Sequence, residues 1–218
     1  MQSSQPPYTS RGRGFIAGSA LMVLVPKLRG KIGVYVERLA ARLPPYPDAY
    51  TLAGLAATFA GCALVLRGNL WVGVALFVLG ALLDALDGAV ARAHRIVSRR
   101  GGFLDSLSDR LSDAAITYGY SIFAPAWLVY TAGVAALVYS YARARAEAAI
   151  CKKLEGVGVL ERGERLPVQL VIYLVYGLVG NAAALMLLAA YTVALLIALV
   201  DRSLRLYRVL GYLDSGSE

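Results

Sequence analysis

Cysteine and histidine are nearly missing from this chain, which has two cysteines, Cys62 and Cys151, and one histidine, His94, among 218 residues. That excludes a disulfide framework and a structural zinc cluster, since both need several such residues at short spacing. Both cysteines are read as structural, and His94 as a solvated loop residue. Charged residues are only 17% against 58% hydrophobic, which excludes an ordinary soluble domain. Asparagine and glutamine, two and three in number, are also scarce. Such scarcity is a weak thermophile signal, which GC-rich coding would mimic. The N-terminal stretch lacks a clear cleavable signal pattern, because GFIAGSALMVLVP is short and runs straight into basic sequence.

What the chain has in excess is apolar blocks. A bilayer core of about 30 Å needs roughly 20 apolar residues per helix, so these blocks are read as membrane spans. Four run from Thr51 to Leu66, Leu70 to Ala91, Leu107 to Phe123 and Trp127 to Ala142. The run from Leu166 to Val200 is too long for one span and carries a turn signal, Gly180-Asn181, so it is divided in two. Basic residues support six spans with both termini inside. Arg11 to Arg42, Arg92 to Arg110, Arg143 to Arg165 and Arg202 to Arg208 then share the cytoplasmic face, and only Arg67 lies outside. Trp71 and Trp127 sit at span ends as interfacial anchors. The net charge of +8 has a membrane reading, attraction of anionic headgroups and substrates, and nucleic acid is not an expected partner because the basic residues follow span ends.

The expected fold class is therefore all-α: a polytopic membrane domain of six transmembrane helices over residues 47–210. A flexible tail over 1–19, an interfacial amphipathic helix over 20–46 and a C-terminal tail over 211–218 complete it.

Into this apolar pattern the segment DALDGAVARAHRIVSRRGGFLDSLSD introduces four aspartates. Asp84 and Asp87 are three apart, Asp105 and Asp109 four apart, so each pair shares one helical face. Acids near a membrane are costly and usually face a bundle interior or an aqueous cavity. Oxygen ligands without a His or Cys cluster suit hard cations such as Mg²⁺, Mn²⁺ or Ca²⁺, and a two-cation site suits phosphate chemistry. Salt bridging to Arg92 and Arg110 would explain one pair but not two in register with Gly88, Ala91 and Gly101.

The pattern Asp84-x2-Asp87-Gly88-x2-Ala91-Arg92-x8-Gly101-x3-Asp105-x3-Asp109 resembles, at every fixed position, the signature of the CDP-alcohol phosphotransferases. The resemblance covers the chain from about Pro47 onward. It implies a reaction in which a CDP-linked lipid and an alcohol form a phosphodiester and CMP leaves. It further implies that Asp84, Asp87, Asp105 and Asp109 bind two divalent cations, Mg²⁺ or Mn²⁺, with Asp109 also the general base. Asp87, Gly88, Ala91, Arg92 and Gly101 are expected at the cytidine diphosphate, and a homodimer is expected by the same likeness. Asp113, outside the signature, is read as a supporting residue. Pro47-Asp48-Ala49-Tyr50-Thr51 resembles a Pro-Asn-x-x-Thr element of many members, with Asp48 in place of Asn and expected to cap the first helix.

The signature does not name the acceptor, for which the inner arginines are more informative. Arg binds phosphate bidentately, so the inner arginines suit an acceptor that carries its own phosphate; the family likeness implies Arg143 and Arg165 around it with Arg162 a near neighbour, and Arg205 is added from its place at the end of the last span. Lys152, Lys153, Arg202 and Arg208 are assigned to positive-inside anchoring. Tyr-x-Arg-Ala-Arg-Ala-Glu followed by Gly-x-x-Glu-Arg-x-Glu-Arg resembles the phosphatidylinositol-phosphate and archaetidylinositol-phosphate synthase branch. That likeness implies L-myo-inositol 1-phosphate as acceptor, with CDP-diacylglycerol or CDP-archaeol as donor. Rival readings are glycerol 3-phosphate as acceptor, CDP-inositol as donor, a cation or proton transporter, and a membrane-surface scaffold.

Overall fold

A computed structural model describes residues 38–151 and 160–215. The expected tail over 1–19 and residues 20–37 of the expected interfacial helix lie outside the described residues; of its remainder, residues 38–40 are helical and 41–46 form turns and irregular chain. Within them are six α-helices: α1 Pro47–Leu66, α2 Leu70–Ala93, α3 Arg99–Tyr118, α4 Ala126–Ile150, α5 Arg162–Leu178 and α6 Asn181–Ser215. A single 3₁₀ turn, Gly119–Ile122, follows α3.

Local chemistry sets the helix ends. Pro47 occupies the first turn of α1, where its missing N–H costs nothing. The α1–α2 hairpin closes on Gly68, whose φ of +86° is left-handed. The Gly68 amide donates to the Val65 carbonyl and the Asn69 amide to Leu64, both at 2.9 Å. This paired closure is the Schellman arrangement, which glycine adopts without steric cost. Ser98 caps α3 by accepting from the Gly101 amide at 2.9 Å. Glu161 and Glu164 form a reciprocal capping box at the start of α5. Gly180, at φ +121°, separates α5 from α6 at the expected turn.

α1 and α2 approach backbone to backbone. A Cβ at Gly54 would lie 2.9 Å from the Gly80 carbonyl oxygen, and one at Gly61 would lie 2.8 Å from that of Gly73. Small residues at such a seam let membrane helices associate through packing where lipid removes the hydrophobic driving force. The hairpin thereby becomes a stiff mount for the aspartates at the far end of α2. Behind it Phe77, Tyr120, Tyr139, Tyr173, Leu188 and Leu195 are buried, with Tyr120 and Tyr173 centroids 4.7 Å apart.

Among the described residues, three helices are long and apolar enough to cross a bilayer: α1, α2 and the Asn181–Tyr212 portion of α6. Leu79, Leu82, Ile197 and Val200 point outward from them. α3 begins at Arg99, eight residues before the apolar stretch, and carries Asp105 and Asp109 within its first turns. α4 runs on through Arg143 and Arg145 to Ile150, and α6 continues to Ser215.

Candidate active site

The end of α2 and the first turns of α3 meet at one end of the bundle. One carboxylate oxygen each from Asp84, Asp105 and Asp109 lies within 4.8 Å of the others. Asp87 is not in that group. It is 5% exposed and accepts a short hydrogen bond from the Thr51 hydroxyl of α1. Burial, with the charge of Asp84 beside it, raises the pKa of Asp105.

Two cavities flank the carboxylates, and Asp105 lines both. The larger, about 620 Å³, is bounded by Thr51, Asp87, Gly88, Ala91, Arg92 and Gly101, so the residues expected at the cytidine diphosphate do come together. At Gly88 a Cβ would meet only Arg92, at 3.2 Å from Nη1, so the bare backbone leaves that guanidinium its place. Asp48 also lines this cavity but does not cap α1, correcting the expectation: Tyr46 holds the N-cap position and no side chain caps it. Pro47, with its preset φ, starts the helix one residue too early for Asp48 to serve. His94 is half-buried, its Nε2 3.1 Å from the Leu43 carbonyl oxygen, rather than solvated.

The smaller cavity, about 170 Å³, is lined by Asp109, Asp113, Arg143, Glu161, Arg162, Arg165 and Arg202. Arg162 bonds to both Asp84, at 2.5 Å, and Asp109, and so already places a cation among the clustered carboxylates. Burial works against its charge, but Asp109 and Asp84 outweigh this and raise its pKa further. Arg165, 2% exposed, pairs at 2.5 Å with Asp113 and reaches Ser140 at 3.4 Å. Asp113 is thus the counter-ion of a buried arginine.

Arg205 is not brought to this cavity. Its side chain is exposed and paired with Asp201 at 2.8 Å, one turn back on α6. Arg202, assigned from the sequence to anchoring, lines it instead: it is 1% exposed, lies 3.5 Å over the Tyr139 ring and pairs with Glu161 at 2.5 Å. Helical phase on the packed face of α6 decides between the two. Leu188 and Leu195 are buried, and one more step of seven reaches Arg202, whereas Arg205 falls off that face. Glu161 was missed as well; its other oxygen meets Arg143 at 3.0 Å. The buried Nε atoms of Arg162, Arg165 and Arg202 find no hydrogen-bond partner among the described residues.

A family model described as CDP-alcohol phosphatidyltransferase matches residues 45–201. The chain is 40% identical over 149 residues to an archaetidylinositol phosphate synthase of Pyrococcus horikoshii, covering 66% of this chain and 78% of that protein. It is 37% identical over 151 residues to a phosphatidylinositol phosphate synthase of Mycolicibacterium smegmatis, covering 65% and 67%. Among solved structures, the phosphatidylinositol phosphate synthase of Mycobacterium tuberculosis with CDP-DAG bound is similar at a TM-score of 0.62 and 29% identity, covering 82% of this chain and 92% of that one. The same enzyme with manganese and citrate gives a TM-score of 0.62 at 30% identity, covering 84% and 86%.

Proposed function

The chain belongs to the CDP-alcohol phosphatidyltransferase family, and from that premise we propose that it transfers the phosphatidyl-type group of a CDP-linked lipid to L-myo-inositol 1-phosphate, releasing CMP. The carrying observation is the junction at Asp105: a carboxylate cluster with a signature-lined cavity on one side and an arginine-lined cavity on the other. The larger cavity suits the cytidine diphosphate, with Gly88, Ala91 and Gly101 giving access and Arg92 supplying charge. The smaller suits an acceptor with its own anion, because Arg143, Arg162, Arg165 and Arg202 converge there and three buried Nε donors lack acceptors.

The donor set fits a divalent metal. Oxygen ligands alone suit hard cations, and a guanidinium already satisfies two of the carboxylates. Asp84, Asp87, Asp105 and Asp109 would hold two such ions, Mg²⁺ or Mn²⁺, which when bound neutralise the diphosphate and stabilise the leaving oxygen. Thr51 orients the Asp87 carboxylate by donating to it. In the reaction, an acceptor hydroxyl oxygen bonds to the lipid-linked phosphorus while the bond from that phosphorus to the CMP phosphate breaks. Asp109, lining the acceptor cavity, takes the hydroxyl proton. Arg143 and Arg202 bind the acceptor phosphate and so lower the repulsion of bringing anion to anion.

The reading extends to topology. All six helices cross the membrane with both termini and the site cytoplasmic, as the placement of basic residues supports, and the enzyme works as a homodimer.

The test supplies purified protein with CDP-diacylglycerol or CDP-archaeol and Mg²⁺ or Mn²⁺, offers inositol 1-phosphate, glycerol 3-phosphate, serine and inositol separately, and measures CMP. Release with inositol 1-phosphate is the expected result. Release with glycerol 3-phosphate instead would transfer the assignment to that acceptor, and release with inositol alone would sink the anionic-acceptor reading.

A further inference from the structure

Glu161 opens α5 and has a second task unrelated to capping. Its two carboxylate oxygens reach different helices: Oε2 is 3.0 Å from Nη1 of Arg143 on α4, and Oε1 is 2.5 Å from Nη2 of Arg202 on α6. An oxyanion held between two guanidinium groups is how a protein binds a phosphate. Mobility is unequal across the bridge. Arg202 is 1% exposed, stacked on Tyr139 and hydrogen-bonded to the Tyr139 carbonyl at 3.3 Å, so it cannot leave. The Glu161 side chain is 44% exposed and can swing into water.

Resting on the anionic-acceptor reading of this cavity, we propose that Glu161 is an internal competitor for the acceptor's phosphate. Its carboxylate occupies the position between Arg143 and Arg202, and an acceptor binds by displacing it. The consequence is selectivity. A phosphate monoester replaces the carboxylate with more charge and an additional oxygen for the unmatched Arg202 Nε. A neutral alcohol offers nothing in exchange, and moving Glu161 aside for it would leave a buried guanidinium without an anion, a costly state. The cavity thus answers to the phosphate of the acceptor before the alcohol that bears it.

The experiment uses the full chain in detergent, with inorganic phosphate as the probe and titration calorimetry in metal-free buffer as the readout. Glu161→Gln keeps the length of the side chain and an oxygen for the α5 cap but removes the charge. Phosphate should bind it about tenfold more tightly than the unaltered protein, roughly the worth of one charge-assisted hydrogen bond taken from the competitor. Glu161→Ser, neutral and a good cap, should gain similarly and guards against a peculiarity of the amide. Glu164→Gln, which alters the capping box without touching Arg143 or Arg202, should leave phosphate affinity unchanged. Unchanged or weaker binding in both Glu161 variants would overturn the proposal and make the residue a brace for the arginines. A gain in Glu164→Gln equal to theirs would overturn it too, by tracing the effect to a loosened helix start. Arg202→Gln separates this from the underlying reading. If it leaves both phosphate binding and the acceptor KM untouched, the cavity is not the acceptor site at all; if it abolishes binding while Glu161→Gln gains nothing, only the competitor role is lost.

Discussion

At the residue scale the site divides into groups that react, groups that bind and groups that brace. Asp109, assigned to take the acceptor proton, should be tested by Asp109→Asn: CMP release is expected to fall by about 10²–10⁴-fold, while CDP-lipid still binds in a direct titration. Arg202→Gln is expected to raise the acceptor KM on the order of tenfold or more, since hydrogen bonds to charged groups contribute about 1.5–3 kcal/mol. Arg205→Gln, removed from the cavity and paired outside it, should leave that KM unchanged in the same assay. Arg165 behaves differently because it is buried against Asp113. Arg165→Ala leaves the buried Asp113 carboxylate with only the longer ion pair to Arg162, at 3.8 Å, and the loss of a buried partner costs up to about 3–5 kcal/mol, so thermal unfolding in detergent should shift down even without substrate. The aspartate pairs were legible in the sequence because spacings of three and four place side chains on one helical face whatever the surroundings. The choice between Arg202 and Arg205 was not, because it depends on which face of α6 packs inward, and a row of basic residues at a helix end looks the same either way.

At the scale of elements, the hairpin of α1 and α2 carries much of the cavity proposed for the donor, and the α5 start carries much of the cavity proposed for the acceptor. The Gly61–Gly73 and Gly54–Gly80 seam leaves no room for side chains: at Gly54 and Gly61 the nearest obstacles are carbonyl oxygens that cannot rotate aside, and at Gly73 and Gly80 they are the side chains of Val65 and Thr58. Gly61→Leu should therefore force the two helices apart, at about 1–3 kcal/mol for overpacking. The expected readouts are a lower unfolding temperature and a weakened Thr51–Asp87 contact, the latter seen as reduced donor affinity. Hydropathy marked the apolar part of each helix but not its polar extension. α3 starts eight residues ahead of its apolar stretch because Ser98 caps it, and a cap is a hydrogen bond that hydropathy does not register. Pro47 likewise decided where α1 begins, which displaced Asp48 from capping to the cavity wall.

For the whole molecule, the two natural cysteines report on orientation. Cys151 is exposed at the end of α4, and Cys62 is buried in the core. With the proposed topology a membrane-impermeant maleimide should label Cys151 only after the inner face is opened, and should leave Cys62 untouched until the protein unfolds; labelling of intact cells would invert the topology. The six helical segments were readable from apolar length and charge, and three of them are long and apolar enough to cross a bilayer, whereas the meeting of the two cavities at Asp105 needed the packing of all six helices. Glu161 bonds the acceptor arginines and Arg162 bonds the clustered carboxylates, and the two are consecutive residues at one helix start. Whatever frees one of them tugs on the turn that holds the other. Occupancy by a divalent cation and occupancy by a phosphate monoester should then favour each other reciprocally, so that the factor by which Mn²⁺ tightens the phosphate equals the factor by which the phosphate tightens Mn²⁺.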